Sequence, residues 1–386
     1  MGSFPRALGP VLCVVGARPN YMKMAPIMRA FGRDLPLPRP FLVHTGQHYD
    51  ESMNQRLFRD LELPVPDLNL SVGSGTHAVQ TAEVMRRFEP VIDDLSPSCV
   101  LVVGDVNSTL ACALVASKKH VPVVHVEAGL RSFDRRMPEE INRVLTDQIS
   151  DLLYTTEWSA HENLAREGIA PERIHFVGNV MIDSLHTHLR SAVPLQATLA
   201  AARVTDRVIA DGPYGVMTLH RPANVDSPQR LSVLLHALEA VSRRLPLVWP
   251  IHPRTRANIE RFGFEKVLAR ARVALLPPQG YLEMLGLMRE AVVVLTDSGG
   301  IQEETTALGV PCLTLRENTE RPITVEQGTN TVVNDDRELM LHCVERILAG
   351  NGKQGRVPEL WDGHASQRIA EHLATWLDTG VARIAA

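Results

Sequence analysis

The sequence predicts an α/β protein made of two Rossmann-like, doubly wound domains facing a central cleft. Three observations carry this expectation. Short, nearly continuous apolar runs alternate with amphipathic segments along the chain. The alternation pauses once, over residues 191–211, and then resumes. The chain has 386 residues, 45% of them hydrophobic, whereas a single core rarely organises more than about 250–300 residues.

The elements follow in order. Residues 11–15 are apolar throughout, the pattern of a strand covered on both faces. The chain turns at Gly16-Ala17-Arg18-Pro19, and 20–31 has a helical period. Further strands are expected at 41–45, 99–103, 121–126, 152–156 and 174–177. Helices such as 76–88, 108–118 and 139–149 lie between them. Buried strands separated by helices make a parallel sheet with helices on both faces. Residues 191–211 are rich in Ala, Leu and Arg and read as helical. A second strand series follows at 215–219, 247–251, 273–276, 292–296, 311–315 and 331–333. The expected domains are therefore 1–180 and 181–365. A last helix, about 365–377, carries Leu373 and Trp376 on one face. Its period leaves open which domain it covers.

Composition excludes several function classes. The formal net charge is −4 and no Lys/Arg-rich run occurs, so nucleic acid is not an expected partner. A 22% charged fraction argues against wholesale disorder. The apolar runs are strand-sized, far short of the ~20 residues of a membrane span. The first residues lack a secretory apolar segment. The five cysteines sit in apolar patterns without a C-x-x-C pair, as small buried hydrophobes do in a reducing compartment. A cytoplasmic location is expected. No metal is expected: His186 and His188 do not share a helix face, and His44 and His48 lack further ligands. Ser/His/Asp hydrolysis lacks a G-x-S-x-G elbow.

Ligands of open α/β sheets bind beyond the carboxyl ends of the strands. After the 292–296 strand comes Asp297-Ser298-Gly299-Gly300, which opens a helix. Free N–H groups and the positive helix end suit a phosphate there, although an ordinary helix cap has the same sequence. Glu304, one turn on, is placed to accept from ribose hydroxyls. Arg316 and Arg321 follow the next strand and offer forked donors for a diphosphate. Arg18 and Lys23 follow the first strand, where G-x-G-x-x-G, the dinucleotide fingerprint, is missing. Asp105 and Glu127 end two consecutive strands, Glu139 opens a helix, and His220 ends the 215–219 strand. Carboxylates brought close push each other's proton affinities apart and supply separate acid and base roles. His220 offers an imidazole, a side chain that can donate or accept a proton or carry a charge.

In this order, the motifs closely resemble the non-hydrolysing UDP-N-acetylglucosamine 2-epimerase family. They are Gly16-Ala17-Arg18-Pro19 with Lys23, Thr45-Gly46-Gln47-His48, Gly104-Asp105 and His125-Val126-Glu127-Ala128-Gly129-Leu130-Arg131. Then come Pro138-Glu139-Glu140-Ile141-Asn142-Arg143, His220-Arg221, Asp297 to Glu304, and Thr319-Glu320-Arg321-Pro322. The resemblance implies a glycosyltransferase-B type fold, with the C-terminal helix at 366–386 returning to the first domain. It implies a homodimer, a UDP-sugar substrate and no cofactor or metal. It implies inversion at C2 by eliminating UDP to a 2-acetamidoglucal and adding it back. Asp105, Glu127, Glu139 and His220 match the family's catalytic positions. Arg18, Lys23, Gln279, Ser298, Gly299, Gly300, Glu304 and Arg321 match its UDP contacts.

Two departures stand out. Ala223 occupies a position where many members have Glu. Residues 71–77 lack the arginine that helps hold an activating second substrate in allosteric members, so weak or absent activation is expected. A glycosyltransferase of the same architecture, a nucleotide-sugar-binding protein and a hydrolysing epimerase are the competing classes. The first two have no use for the full carboxylate set, whose burial costs stability.

Overall fold

The computed structural model describes residues 9–32, 35, 37–47, 51–204, 209 and 212–384. His48, the N-terminal residues 1–8, and 205–208 and 210–211 of the expected helical stretch lie outside the described residues. Among the described residues, the strands form two wholly parallel sheets, one in each of two compact units. The first unit comprises residues 1–184 and 359–386, and the second 185–358. The division thus falls at 184/185 and 358/359, whereas the sequence pattern placed it at 180/181 and 365/366.

The first sheet contains β1 (Val11–Val15), β2 (Pro40–His44), β3 (Leu68–Asn69), β4 (Cys99–Val103), β5 (Val123–Ala128), β6 (Leu152–Thr155) and β7 (Ile174–Phe176). Its spatial order is β3-β2-β1-β4-β5-β6-β7. The second contains β8 (Gly215–Thr218), β9 (Leu247–Pro250), β10 (Val273–Leu276), β11 (Val293–Thr296), β12 (Cys312–Thr314) and β13 (Asn330–Val332), in the order β10-β9-β8-β11-β12-β13. Both sheets are doubly wound. In each, the strand order reverses between the unit's first and fourth strands, where a crevice opens beyond the strand ends.

Burial explains why these segments fold so. Val11–Val15 and Cys99–Val103 are buried residue by residue, as strands covered on both faces must be. The helix His77–Leu95 runs beyond the expected end at 88 and through Pro90, which costs it a backbone hydrogen bond. Val84, Phe88, Val91 and Ile92 form one stripe packed with Leu12, Val14 and Val102, and that continuous apolar face carries the helix past the proline. In the second unit the fully buried Trp249 packs with Leu231, Leu234, Leu235 and Leu238. β3 has two residues, too short to leave a sequence pattern.

The C-terminal helix, Ala365–Ile384, runs past the 365–377 of its apolar period and belongs to the first unit, as the resemblance implies, where it packs on the helix Arg18–Phe31. Ile369, Ala370, Leu373 and Leu377 form its buried stripe, with Trp376 at the margin. The Asp183 carboxylate caps it, accepting from the N–H groups of Ala365 at 3.1 Å and Ser366 at 2.7 Å. Trp361 anchors the approach by donating to the Thr156 carbonyl at 3.0 Å. None of the described helices is long and apolar enough to cross a membrane.

On the same helix, His372 stacks on His175 with ring centroids 3.8 Å apart, and its Nδ1 lies 3.0 Å from the Tyr154 hydroxyl. Burial, then the neighbouring His175, pushes His372 from 6.5 down to about 4. Burial also lowers His175, assisted by His161 and opposed by the Glu172 carbonyl. A depressed histidine takes up its proton on unfolding, so stability is complete above the unfolded value and declines as pH falls from 6.5 towards 4. Melting temperatures measured between pH 7 and 4.5 should therefore fall. His372→Leu should flatten that slope; an unchanged slope would contradict this account.

Candidate active site

The second unit builds a phosphate-type cradle at its switch point. β11 ends at Thr296, and the helix Gly299–Leu308 starts three residues later. Ser298 occupies the cap position, but no side chain caps the helix and its first turn holds no acidic residue. Its leading N–H groups therefore point out as donors with the positive end of the dipole behind them. A Cβ at Gly299 would sit 2.9 Å from Glu320 Oε1, so the crowded position takes glycine. The Glu320 carboxylate engages Arg316 at 2.7 Å and Arg221 at 3.5 Å. Arg321 Nε lies 2.9 Å from Glu303 Oε1, both residues being buried. Gly300 and Glu304 lie in the same helix, with Glu304 buried. Gln279 lies further out, after edge strand β10, where its amide donates to the Pro277 carbonyl at 2.7 Å.

His220 follows β8, the strand beside β11. Thr218 and Thr296 are register partners, and their hydroxyls are 2.6 Å apart. This brings the residue after β11, Asp297, to the loop after β8. Asp297 is fully buried and accepts from the N–H groups of His220 at 3.0 Å and Arg221 at 2.8 Å. His220 Nδ1 lies 2.9 Å from Asp297 Oδ1. Burial pushes the Asp297 carboxyl up, but the His220 ring and these N–H groups outweigh it and hold it below its usual value.

The first unit gathers its charged residues at its own switch point. Arg18, half-buried, opens the helix after β1. Lys23, one turn on, is buried, with Nζ 2.6 Å from Glu127 Oε2. Gly104, after β4, has φ +66°, and a Cβ there would meet Lys23 Nζ at 2.9 Å. Glu127 does not follow its strand as the sequence suggested. It lies inside β5, at a bulge where the register with β6 shifts, and its φ is 71°. Bulges re-aim side chains beside functional sites, and a non-glycine in the left-handed region costs of order 1–3 kcal/mol.

Asp105 is ion-paired with Arg143, which also reaches Glu140 at 3.0 Å. The Asp105 carbonyl accepts from Asn142 at 2.9 Å. Glu139 is half-buried in the first turn of the helix Pro138–Ile149. Its neighbour Glu140 accepts from Ser132 N at 2.9 Å and Phe133 N at 3.0 Å, fixing the loop that precedes the helix. Beneath, His125 bridges Asp147 Oδ1 at 2.7 Å and the Gly104 carbonyl at 2.8 Å. Burial raises the Asp147 carboxyl, but His125 and Arg131 outweigh it and hold it low.

The structure thus brings Lys23 and Glu127 together, sets Asp105 one residue from the glycine that Lys23 abuts, and places His220 beside the Ser298–Gly300 turn. Sequence reasoning missed Asp297 as a partner of His220, Arg143 as a partner of Asp105, and Glu320 as the anchor of Arg316. Strand adjacency was the usable signal for Asp297, since the first and fourth strands of a doubly wound unit are neighbours. Arg143 lies one helical turn from Glu139 and Glu140, a spacing readable from the sequence. Among the described residues, no group of three or more His, Cys, Asp or Glu side chains could hold a metal.

A family profile described as UDP-N-acetylglucosamine 2-epimerase matches residues 38–374. The chain belongs to this family. A UDP-N-acetylglucosamine 2-epimerase of Methanocaldococcus jannaschii is 43% identical over 357 residues, covering 89% of this chain and 95% of the relative. A crystal structure of the Methanocaldococcus jannaschii enzyme in complex with UDP-GlcNAc and UDP superimposes with a TM-score of 0.83 at 40% identity. It covers 95% of this chain and 99% of that one. A UDP-2,3-diacetamido-2,3-dideoxy-D-glucuronate 2-epimerase of Pseudomonas aeruginosa is 41% identical over 370 residues, 94% of this chain and 99% of the relative. In this epimerase family member, the buried Lys23–Glu127 pair gives a direct test. Lys23→Met removes the cation paired with a buried carboxylate and should lower stability by about 3–5 kcal/mol. Adding Glu127→Gln should recover much of the loss, as a double-mutant cycle by denaturant titration would show.

Proposed function

We propose that this chain interconverts UDP-N-acetylglucosamine and UDP-N-acetylmannosamine. Family membership supports the reaction. The observation that carries the reading is the occurrence in one chain of an uncapped helix N-terminus flanked by arginines and of carboxylates held by cations just after β4 and at the bulge in β5. The first suits a departing diphosphate. The second suits proton transfer at a carbon.

The proton at C2 passes to a carboxylate while the C1–O bond breaks, its electron pair leaving on the diphosphate. A C1=C2 double bond forms, giving the 2-acetamidoglucal. Return delivers a proton to the opposite face of C2, and a diphosphate oxygen rebonds to C1. In this reading Asp105 and either Glu127 or Glu139 transfer the protons. Arg18, Lys23, Gln279, Ser298, Gly299, Gly300, Glu304 and Arg321 hold the UDP-sugar, and His220 serves the leaving diphosphate. Arg143 and Lys23 hold the Asp105 and Glu127 carboxylates in place; Lys23 therefore has a second duty beside any contact with the anion.

Incubation with UDP-N-acetylglucosamine in D2O, followed by proton NMR, tests this. Deuterium at C2 and a UDP-N-acetylmannosamine product with UDP attached are expected. Free sugar, or no change without an acceptor, would overturn the reading. Asp105→Asn should reduce turnover by at least about 10²-fold with UDP affinity largely kept. The same incubation with a UDP-2,3-diacetamido uronate checks the sugar, whose preference we place in the loop 132–137.

We also infer a homodimer, on the family resemblance, and a cytoplasmic location, on the strand-sized apolar runs and the cysteines in apolar patterns. Because residues 71–77 lack the expected arginine, turnover should be hyperbolic in UDP-N-acetylglucosamine, and UDP-N-acetylmannosamine alone should be converted. Sigmoidal initial rates would overturn that expectation.

A further inference from the structure

Four donors converge on the buried carboxylate of Asp297. They are the N–H groups of His220 and Arg221, the Asn224 amide at 3.2 Å, and the His220 ring through Nδ1. The two backbone donors and the Thr218–Thr296 register fix the loop after β8 against the end of β11. Within that fixed frame, the ring nitrogen facing Asp297 is Nδ1. A lone pair there would face a carboxylate, so this nitrogen carries the proton. Nε2 is left as the nitrogen available for chemistry, on a side chain that is 39% exposed. The other groups around His220 are Arg221, which is drawn to Glu320, and the His252 ring, whose centroid is 6.0 Å away.

We infer that Asp297 is a positioning residue for the proposed reaction: it holds His220 as the Nδ1–H tautomer, so that Nε2 serves the leaving diphosphate. The inference rests on the proposed epimerase reading and gives a function to a residue whose partner the sequence alone does not show. The same carboxylate stabilises the ring once Nε2 gains a proton, and this couples the cradle in β11 to the proton on the loop of β8.

Asp297→Asn tests this, because the amide keeps the volume and one backbone acceptor but removes the charge. kcat should fall by about 10²–10⁴-fold, with KM and UDP affinity within about threefold of wild type. The limb of the pH–rate profile set by His220 should move to lower pH, since the protonated ring loses its anionic neighbour. A purely structural role would lower the melting temperature and leave that limb in place. An unmoved limb with kcat within about tenfold of wild type would overturn the inference. A second measurement needs neither Asp297→Asn nor substrate. In 15N-histidine NMR of the wild-type protein at alkaline pH, the His220 resonances, assigned by their loss in His220→Gln, should report Nδ1–H. An Nε2–H pattern would overturn the inference. A wild-type protein that leaves UDP-N-acetylglucosamine unchanged would instead sink the proposed function, and the tautomer measurement would still decide what Asp297 does to His220.

Discussion

A carboxylate taken out of water persists only where a cation or several N–H donors answer it. This constraint organises both switch points. Asp105 is answered by Arg143, Glu127 by Lys23, Asp147 by His125 and Arg131, and Asp297 by His220 and two backbone donors. Glu320 and Glu303 are answered by Arg316 and Arg321. Each pair fixes two side chains at once, so the elements that carry them are fixed as well. A core built for stability alone would use apolar residues at these places, because a buried ion pair is rarely worth more than its apolar replacement.

The same constraint accounts for the unusual backbone. Lys23 rises from the helix after β1, and its ammonium passes over Gly104 to reach Glu127 on β5. Glycine suits that crossing, because its φ is +66° and a Cβ would crowd the ammonium. Glu127 meets Lys23 from a bulge, at a positive φ that a glutamate rarely adopts. That strain is held by pairing on both sides of β5, with β4 and β6. A regular strand would have sent the side chain to a different face.

In the second unit, charge is arranged around an opening instead of a pair. The helix Gly299–Leu308 has no acidic residue in its first turn and no side-chain cap, while arginines lie close by, each held by a glutamate. The carboxylate nearest Gly299, Glu320, is shared between Arg316 and Arg221. Arginines held in this way lose little freedom when an anion arrives.

The sequence by itself determined the class of fold, the two series of strands and the helix starts, because hydrophobic periodicity and glycine placement are local properties. It also determined which residue types stand at the strand ends, since those positions follow directly from where each apolar run stops. Tertiary structure decided the rest. The run through Pro90 depended on a buried stripe that only packing reveals. The return of the C-terminal helix to the first unit depended on Asp183 and Thr156, far away in the chain. Glu127 looked like a residue after a strand, because a bulge leaves no periodic mark. The pairing of Arg143 with Asp105 and of Asp297 with His220 became visible only once strands and helices were neighbours. Burial makes each charge depend on particular partners, and for those far apart in the chain, such as Asp105 with Arg143 and Asp297 with His220, only the fold supplies them.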